Sequence, residues 1–210
     1  MRQRIAFLLC VAVGLTGCAT APKDYSAFAA SAPKSILILP PVNQSVDLSG
    51  TYGPLSTMSS PIAEMGYYVF PVEVVDRLLK ENGFTQSAEM HQIPLDKLRA
   101  VTGADAVLYP TVSEYGSKYQ LIASTTKVHM SARLVDARTG TTLWENKVAL
   151  EKGATGSNQI GLLGKLVEVA IAQIANSVSD PSRQLAAEAN VQLFTDKKTG
   201  LLVGPYRKQQ

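Results

Sequence analysis

The sequence predicts an α/β (α+β) domain in which helices pack on a mixed β-sheet, and three patterns support this. Residues 35–39 form a continuous apolar run, which is typical of a strand covered on both faces. Amphipathic helical patterns alternate with short strand patterns between residues 61 and 115. From residue 119 to 150 the apolar side chains recur at every second position, which predicts an antiparallel hairpin. The length of 210 residues suits one ordinary domain.

The first 17 residues have the pattern of a secretory signal peptide. Arg2 and Arg4 precede an apolar stretch at residues 5–13, which is shorter than the roughly 20 residues that span a bilayer. Removing this segment takes two of the 20 basic residues, so 20 − 2 = 18 remain against 17 acidic ones, a net charge of +1. A nearly neutral protein lacks the electrostatic attraction that nucleic acid requires, so that class of function is excluded.

The end of the signal peptide is more specific. Leu15-Thr16-Gly17-Cys18 resembles the bacterial lipobox. This resemblance implies that signal peptidase cuts the Gly17–Cys18 bond, that Cys18 carries a diacylglycerol, and that its new amine receives a further acyl chain such as palmitate. Several chains anchor stably where one does not, since each buried methylene contributes about 0.8 kcal/mol. Ala19 rather than aspartate follows, which by the lipoprotein sorting pattern implies the outer membrane. The alternative is a plain signal peptide that contains a cysteine.

The two cysteines leave no free thiol in the processed chain, because Cys10 lies in the discarded segment and lipid modifies Cys18. Cysteine catalysis and thiolate metal sites are therefore excluded. Residues 18–33 are rich in Ala, Ser and Pro, and we interpret them as the lipidated N-terminus followed by a flexible tether. If extended, this tether would reach roughly 45 Å. The alternative is a helix or strand that packs on the edge of the domain.

The α/β domain is expected to occupy residues 34–180. After the strand at 35–39, the stretch from 42 to 60 contains Gly50, Gly53 and Pro54 and predicts a long loop. Pro61 is expected to open a short helix that ends before Gly66, and residues 67–70 are expected to form a second strand.

Further along, Pro71 starts a helix that ends at Gly83, a second helix covers residues 94–102, and a strand covers 105–115. The hairpin at 119–150 turns at residues 136–140, where Gly140 is able to adopt a left-handed conformation. One face of its first strand is apolar and consists of Thr126, Val128, Met130, Ala132 and Leu134.

The last third of the domain contains a long apolar helix at residues 160–178. Lys165, Glu168 and Asn176 lie within it, so we interpret it as a core helix rather than a membrane span. Residues 181–210 are expected to form a C-terminal tail that packs on the domain, with a helical turn at 184–190 and a hairpin at 191–206.

The chain offers little catalytic chemistry, and we predict that it is not an enzyme. His91 lies in a polar loop and His129 on the polar face of a strand, with no third ligand at metal-site spacing. Gly164-Lys165 is followed by Leu166, so the glycine-rich segment lacks the pattern of a phosphate-binding loop. The sequence therefore predicts neither a metal nor a cofactor beyond the lipid on Cys18.

Tyrosines are the remaining candidates for function. Tyrosine is favoured at protein interfaces because it buries a large area with little loss of entropy, but it is also a common strand residue. The candidate partner-binding residues are Tyr52, Tyr67, Tyr68, Tyr115 and Tyr119. The predicted loop at residues 42–60 is a second candidate contact surface.

Several segments together resemble a known family. They are LPPVNQSVDLSGTYGPLST, PIAEMGYYVFPVEVVDRLLKENG, TGADAVLYPTV and LVDARTGTTLWENK. They are similar to a family of bacterial outer-membrane lipoproteins of unknown function that was first noted among neisserial vaccine antigens. The resemblance covers roughly residues 18–206, and GYYVFPVEVVDRLL is its most specific block. The hairpin motif would also suit one repeat of a quinoprotein propeller, but its single copy excludes that fold.

The resemblance implies a fold similar to the TolB N-terminal domain, CsgG and LpoB. Members of the family are often encoded beside a CsgG-like lipoprotein, which implies that such a protein is a partner in a secretion or transport assembly. The chain lacks the long amphipathic hairpins with which CsgG builds a pore, so we do not expect it to form one alone. A homo-oligomer remains open.

Three hypotheses for function follow. The first is a non-catalytic, lipid-anchored interaction module that faces the periplasm. The second is an LpoB-like regulator of peptidoglycan synthesis. The third is an envelope hydrolase with an unfamiliar site, which would require a pocket that holds His91 or His129 near a carboxylate.

Overall fold

A mixed sheet forms the centre of the computed structural model, which describes residues 23–119, 124–153 and 181–207. The predicted signal peptide, the cleavage site at Gly17, the lipidation site at Cys18 and the predicted helix at 160–178 all lie outside the described residues. The strands are β1 (Ser35–Ile38), β2 (Val42–Asn43), β3 (Tyr68–Val69), β4 (Ala106–Tyr119), β5 (Ser124–Asp136) and β6 (Thr142–Gly153). The helices are α1 (Ser26–Ser31), α2 (Tyr52–Glu64), α3 (Val72–Glu81), α4 (Ser87–Met90), α5 (Leu95–Thr102) and α6 (Pro181–Thr195), with a 3-10 helix at Leu48–Gly50.

The strand order in the described part of the chain is β3-β1-β4-β5-β6, and β2 pairs with β4 beyond the end of β1. Strands β3, β1 and β4 are parallel, whereas β4, β5 and β6 are antiparallel. The predicted central strand is confirmed, because β1 has a neighbour on each side and residues 36–39 are fully buried. Alternate residues of β1 serve two cores, since Ile36 and Ile38 face one layer and Leu37 and Leu39 the other.

Helices cover the two faces of the sheet unequally. Helices α1, α2 and α6 contribute Phe28, Met58 and Leu193 to the larger core, which extends along β4, β5 and β6. Helices α3, α4 and α5 cover the other face, where Val75 and Leu98 pack near β1. The predicted helices at 71–82 and 94–102 are therefore confirmed. None of the described helices has the length and apolarity that crossing a bilayer requires.

The predicted hairpin is confirmed where it is described. The apolar face of β5 is buried, and Asp136 N donates to Thr141 O across the turn, where Gly140 has a φ of 72°. One residue is bulged between Val112 and Glu114 in β4. Over most of β5 and β6 one face lies on the core and the other is polar, as period-two patterns require. The first half of β4 is instead buried on both faces, since Leu108 belongs to one core and Val107 to the other.

The predicted loop at 42–60 is wrong over its second half, because α2 begins at Tyr52 and contains Pro61 in its interior. Interior proline costs about 3 kcal/mol because it removes a backbone hydrogen bond. Leu55, Met58 and Ile62 nevertheless form a helical stripe that is buried against the sheet. The burial of this stripe outweighs the cost of the proline, so the helix continues past the position where local signals predict a start.

The predicted tether is wrong at its C-terminal end. Residues 26–31 form α1, Phe28 is only 2% exposed, and the Tyr25 hydroxyl donates to Gly200 O at 2.6 Å. The packed alternative is therefore the correct one for this segment. A single large aromatic residue in a polar, Ala-rich stretch shows no periodicity, so only the tertiary contact reveals it.

The C-terminal segment is more helical than expected. Helix α6 runs from Pro181 to Thr195, so the predicted hairpin at 191–206 is wrong. Asp196 instead accepts from the backbone N–H groups of Lys198 and Thr199, which forms a tight turn after the helix. Leu193 and Phe194 are buried, which makes this helix part of the core.

Candidate protein-binding surface

The loop between β2 and α2 displays two aliphatic side chains to solvent. Val46 is 94% exposed and Leu48 is 92% exposed. They lie on either side of Asp47, at the tip of the segment that the sequence indicated as a contact surface. Single exposed aliphatic residues are common on proteins, but these two lie two positions apart on one loop, which makes the loop a candidate interaction site.

Hydrogen bonds hold this loop in one shape. The Asn43 side chain accepts from Ser45 N at 2.9 Å and donates to Asp47 O at 2.7 Å. Asp47 in turn accepts from Ser49 N at 2.9 Å with its carboxylate. Gly50 is required here because a Cβ would lie 2.6 Å from the Asn43 side-chain oxygen. The two aliphatic side chains are therefore presented on an ordered turn.

A groove of about 520 Å³ lies between the start of α2 and the start of α3, directly after this loop in sequence. Its apolar wall includes Leu55, Pro71 and Val74, and Val74 is 62% exposed. Asp76 and Arg183 supply charges of opposite sign along its wall. The groove therefore combines an apolar wall with charged groups, as expected of a site that binds a segment of another protein.

Tyr52 joins the loop to the groove and is held in place by a charged pair. Lys80 Nζ donates to the Tyr52 hydroxyl at 2.7 Å and to Asp76 Oδ2 at 2.8 Å. The hydrogen bonds to Asp76 and Tyr52 raise the pKa of Lys80, so it remains charged at physiological pH. Tyr52 is 49% exposed, so a partner would meet an aromatic side chain that hydrogen bonds already hold in place.

The candidate tyrosines do not form one surface. Tyr52 and Tyr68 are about half exposed, whereas Tyr67 and Tyr115 are each only 5% exposed. The prediction that Tyr67 and Tyr115 contact a partner is therefore wrong, since both belong to the core. Tyr119 ends β4, where its backbone pairs with β5, and its side chain lies outside the described residues.

The adjacent residues Tyr67 and Tyr68 differ in exposure, because successive side chains point to opposite faces where β3 pairs with β1 at the edge of the sheet. Tyr67 turns toward the core, where its hydroxyl donates to Leu202 O at 2.7 Å and where burial raises its pKa. Tyr68 points outward and packs edge-on against Phe70 with ring centroids 5.1 Å apart. Only Tyr68 of this pair is able to meet a partner.

The histidines lie in two different settings. His91 is partly buried rather than in an open loop, and its Nε2 lies 3.0 Å from Pro40 O beside the Tyr109 ring. Burial lowers the pKa of His91, and the nearby Arg133 adds to this effect, although the contact with Pro40 O opposes it. His91 therefore stays neutral at physiological pH and has a structural contact.

His129 lies on the polar face of the sheet, as predicted. Its Nδ1 is 3.8 Å from Glu114 Oε2 and its Nε2 is 3.4 Å from Glu151 Oε1, which also binds Lys127 Nζ at 2.9 Å. Within the described ranges no group of three or more His, Cys, Asp and Glu side chains has the geometry of a metal site. The groove described above is lined by other residues than either histidine.

Sequence reasoning missed Val46 and Leu48 as individual contact residues. The signal was present, since both are aliphatic residues in an otherwise polar loop that carries turn-forming Asn and Asp. Their near-complete exposure is a property of the folded loop, so the sequence indicated only the segment.

A family model described as "Putative lipoprotein GNA1162-like" matches residues 23–206. The chain belongs to this family. The predicted resemblance is therefore confirmed over most of the sequence. A relative from Neisseria meningitidis serogroup B, "Putative lipoprotein NMB1124/NMB1162", is 45% identical over 183 residues, which is 87% of this chain and 85% of the relative.

Solved structures agree with the membership of the GNA1162-like family. The crystal structure of lipoprotein GNA1162 from Neisseria meningitidis is 48% identical, has a TM-score of 0.58, and covers 69% of this chain and 100% of its own. The predicted mixed sheet with packed helices is thereby confirmed.

Two more distant structures are also similar to this GNA1162-like chain. The PelC dodecamer from Paraburkholderia phytofirmans is 11% identical with a TM-score of 0.41, over 63% of this chain and 79% of its own. The LpoB C-terminal domain from Salmonella enterica is 17% identical with a TM-score of 0.42, over 57% of this chain and 83% of its own.

Proposed function

We propose that this GNA1162-like chain is a non-catalytic, lipid-anchored protein-binding module of a cell-envelope assembly, on the periplasmic face of the outer membrane. The observation that carries the proposal is the ordered loop that presents Val46 and Leu48 almost fully to solvent. The groove lined by Tyr52 and Leu55 is a second partly apolar feature, at the start of the helix that follows the loop.

The loop supplies binding energy at low entropic cost. Burying an aliphatic side chain contributes about 1.5–3 kcal/mol, so the two together supply about 3–6 kcal/mol before the cost of association. Because Asn43 and Asp47 already hold the turn by hydrogen bonds, a partner would not have to order it. These properties favour recognition of a protein surface with an apolar pocket.

Lipid at Cys18 would keep this surface close to the membrane. Since the Lys23 side chain donates to Glu145 O and residues 25–33 pack against the domain, a free tether would be confined to residues 18–22. Five residues span at most about 18 Å when fully extended. The domain would then be held near the bilayer rather than at the roughly 45 Å that a longer tether allows, which favours a partner that is itself at the membrane.

A CsgG-like lipoprotein is the partner that we propose, in a secretion or transport assembly. The test is a binding measurement in mild detergent between this purified full-length chain and a CsgG-like lipoprotein from the same organism. Val46→Asp combined with Leu48→Asp should weaken binding at least about tenfold, because both anchors become charged. Val101→Asp is the matched control, since Val101 is 69% exposed on α5, outside the loop and groove.

Two results would contradict this function. One is the absence of binding by the unmodified chain, and the other is equal binding by the loop variant and the Val101 variant. Fluorescence of Trp144, which is buried, verifies that both variants are folded. The anchor is tested separately by mass spectrometry, which should show cleavage after Gly17 and acyl chains on Cys18 and no adduct after Cys18→Ser.

A further inference from the structure

Strand β6 ends the sheet order in the described residues, and it has 12 residues. The direction of its backbone groups follows from the hairpin. Asp136 N donates to Thr141 O, so alternate residues of β5 from Asp136 to Val128 face β6. Their partners on β6 include Val148 and Leu150, and the residues between these partners face away from β5.

Three consecutive outward-facing residues of β6 offer hydrogen bonds to a further strand. They are Lys147, Ala149 and Glu151, and all three are exposed. Their backbone N–H and C=O groups have no partner among the described residues. Nearer the start of β6, the outward-facing carbonyl of Glu145 already has a partner, since Lys23 Nζ donates to it. The part of the edge with unpaired backbone groups therefore begins after Glu145 and includes these three residues.

We propose that a second copy of this chain pairs with this edge, with β6 antiparallel to β6 about a two-fold axis at Ala149. In this register Ala149 lies opposite the partner's Ala149, and Lys147 lies opposite the partner's Glu151. The reciprocal pair forms by symmetry, so two opposite-charge pairs flank the axis. Three opposed residue pairs exchange two hydrogen bonds each, which gives about six between the chains.

Charge complementarity distinguishes this register from its neighbours. An axis at Lys147 or at Glu151 places like charges directly opposite each other. If the axis moves one residue toward the start of β6, to Val148, Glu145 lies opposite the partner's Glu151. If the axis moves one residue the other way, to Leu150, Lys147 lies opposite the partner's Gly153. Like charges directly opposite each other destabilise a strand pair. Only the axis at Ala149 opposes both charged residues with opposite charges.

Two further features fit a closed pair of chains. Lys147 has no salt bridge among the described residues, so its charge is available to the partner. Glu151 already binds Lys127 of its own chain, and its exposed carboxylate has a second oxygen for a cation. On the core face Val148 would lie opposite the partner's Leu150, which continues the apolar contact across the axis.

The pairing would stop at two copies. It uses the long edge of each sheet, and the strand at the other end of the order, β3, has only two residues. An isologous contact of this kind closes on itself. The edge at β6 does not include the loop and groove proposed above for a different protein, so either proposal is able to fail alone.

Replacement of Ala149 tests the pairing in the full-length chain in mild detergent. Ala149→Pro removes an outward N–H and adds a ring at the edge, and proline is tolerated on edge strands because the β5–β6 ladder does not use that N–H. Ala149→Val is the matched control, since it keeps the N–H. Light scattering should find a dimer for the unmodified chain and for Ala149→Val, and a monomer for Ala149→Pro.

Charge exchange tests the register. Lys147→Glu should weaken dimerisation about tenfold, because two like-charge pairs replace two opposite-charge pairs. The double variant Lys147→Glu with Glu151→Lys should restore it. A monomeric unmodified chain at high micromolar concentration, a dimer that persists in Ala149→Pro, or a failure of the double variant to recover would overturn the proposal.

A disulfide provides an independent measurement in living cells. Directly opposed, hydrogen-bonded residues have Cα atoms about 5.5 Å apart, which is within the range of a disulfide. Ala149→Cys should therefore give a covalent dimer on mild oxidation. Glu73→Cys, on the surface at the start of α3, should stay monomeric. Equal cross-linking of the two variants would show that the contact is random and would reject the pairing.

Discussion

Asp136 connects the hairpin turn to helix α1, and replacing it tests how the N-terminal segment and the sheet are joined. Its side chain is only 3% exposed and accepts from Arg138 N at 2.7 Å and Thr139 N at 3.0 Å. The Ser31 hydroxyl, at the end of α1, donates to the same carboxylate at 2.5 Å. Asp136→Asn preserves the size of the side chain but removes its charge.

The pKa of Asp136 indicates the size of the effect. Burial by itself raises this pKa, but the hydrogen bonds from Ser31, Arg138 and Thr139 together outweigh burial and lower the pKa to about 2. The ordinary value is 3.8, and each pKa unit corresponds to about 1.4 kcal/mol. Because the Arg138 guanidinium is half exposed and therefore screened, we expect the charge to contribute about 2 kcal/mol to the free energy of unfolding.

The same difference in pKa determines how this contribution depends on pH. The pKa is lower in the folded chain than in the unfolded one, so the stabilisation is complete above about pH 4 and is lost as the pH falls toward about 2. At about pH 3 roughly half of it should remain. The difference in the free energy of unfolding between the unmodified chain and Asp136→Asn should therefore fall from about 2 kcal/mol near neutral pH to about 1 kcal/mol at about pH 3.

Urea unfolding of the full-length chain measures this gap through the fluorescence of Trp144, the only tryptophan, which is 2% exposed. Asp96→Asn, in the first turn of α5, is the matched control and should change the free energy of unfolding by less than about 0.5 kcal/mol. The reasoning is refuted if Asp136→Asn is as stable as Asp96→Asn near neutral pH, or if the gap is unchanged in acid.

Three further predictions concern packing, and each is checked by thermal or urea denaturation. Phe28→Ala should lower the free energy of unfolding by about 3–4 kcal/mol because it leaves a cavity, and Phe28→Leu by less than half as much; a loss near zero would mean that α1 is not docked. Gly66→Ala should lower the free energy of unfolding more than Gly83→Ala. Both glycines have positive φ, but only at Gly66 would an added Cβ meet the backbone nitrogen of Arg207. Equal losses of stability would contradict this close approach. Tyr67→Phe should cost about 1 kcal/mol because it removes a buried hydrogen bond, whereas Tyr68→Phe should change little, and the reverse order would contradict the assigned burial.

Elements with strong local patterns could be predicted from the sequence. The apolar run of β1 and the apolar face of β5 are buried as their periods require. The predicted apolar face of α3 is only partly buried, since Val75 and Leu79 are in the core whereas Val74 is exposed. Gly83 follows α3 with a positive φ, as predicted, and Gly103 follows α5 in the same conformation. In each case the signal and the structure lie within the same short segment.

Elements that depend on a distant partner could not be predicted in this way. Helix α2 contains Pro61, which locally favours a break, and the burial of Met58 and Ile62 against the sheet overrides that preference. Helix α1 depends on one aromatic side chain, Phe28, and on a hydrogen bond from Ser31 to a residue 105 positions away. Propensity is a weak prior where such contacts form.

In the candidate binding surface, too, some features could be predicted from the sequence and others depended on tertiary contacts. The sequence indicated the segment at 42–60 and the side chains of Tyr52 and Tyr68, both of which are exposed. It also indicated Tyr67 and Tyr115, because a tyrosine in a strand is equally suited to a core and to a surface. The side of the sheet that each ring faces is decided by strand pairing, which composition does not contain.

By itself the sequence determined the family, the class of fold and most of the regular elements, because these follow from periodicity and from motifs that lie within a few residues of one another. The tertiary structure alone decided that residues 26–31 are packed, that Val46 and Leu48 are displayed on an ordered turn, and that β6 ends the described sheet with open backbone groups. Exposure and edge position depend on which elements become neighbours in space. They are properties of the whole arrangement of the chain, and no local pattern encodes them.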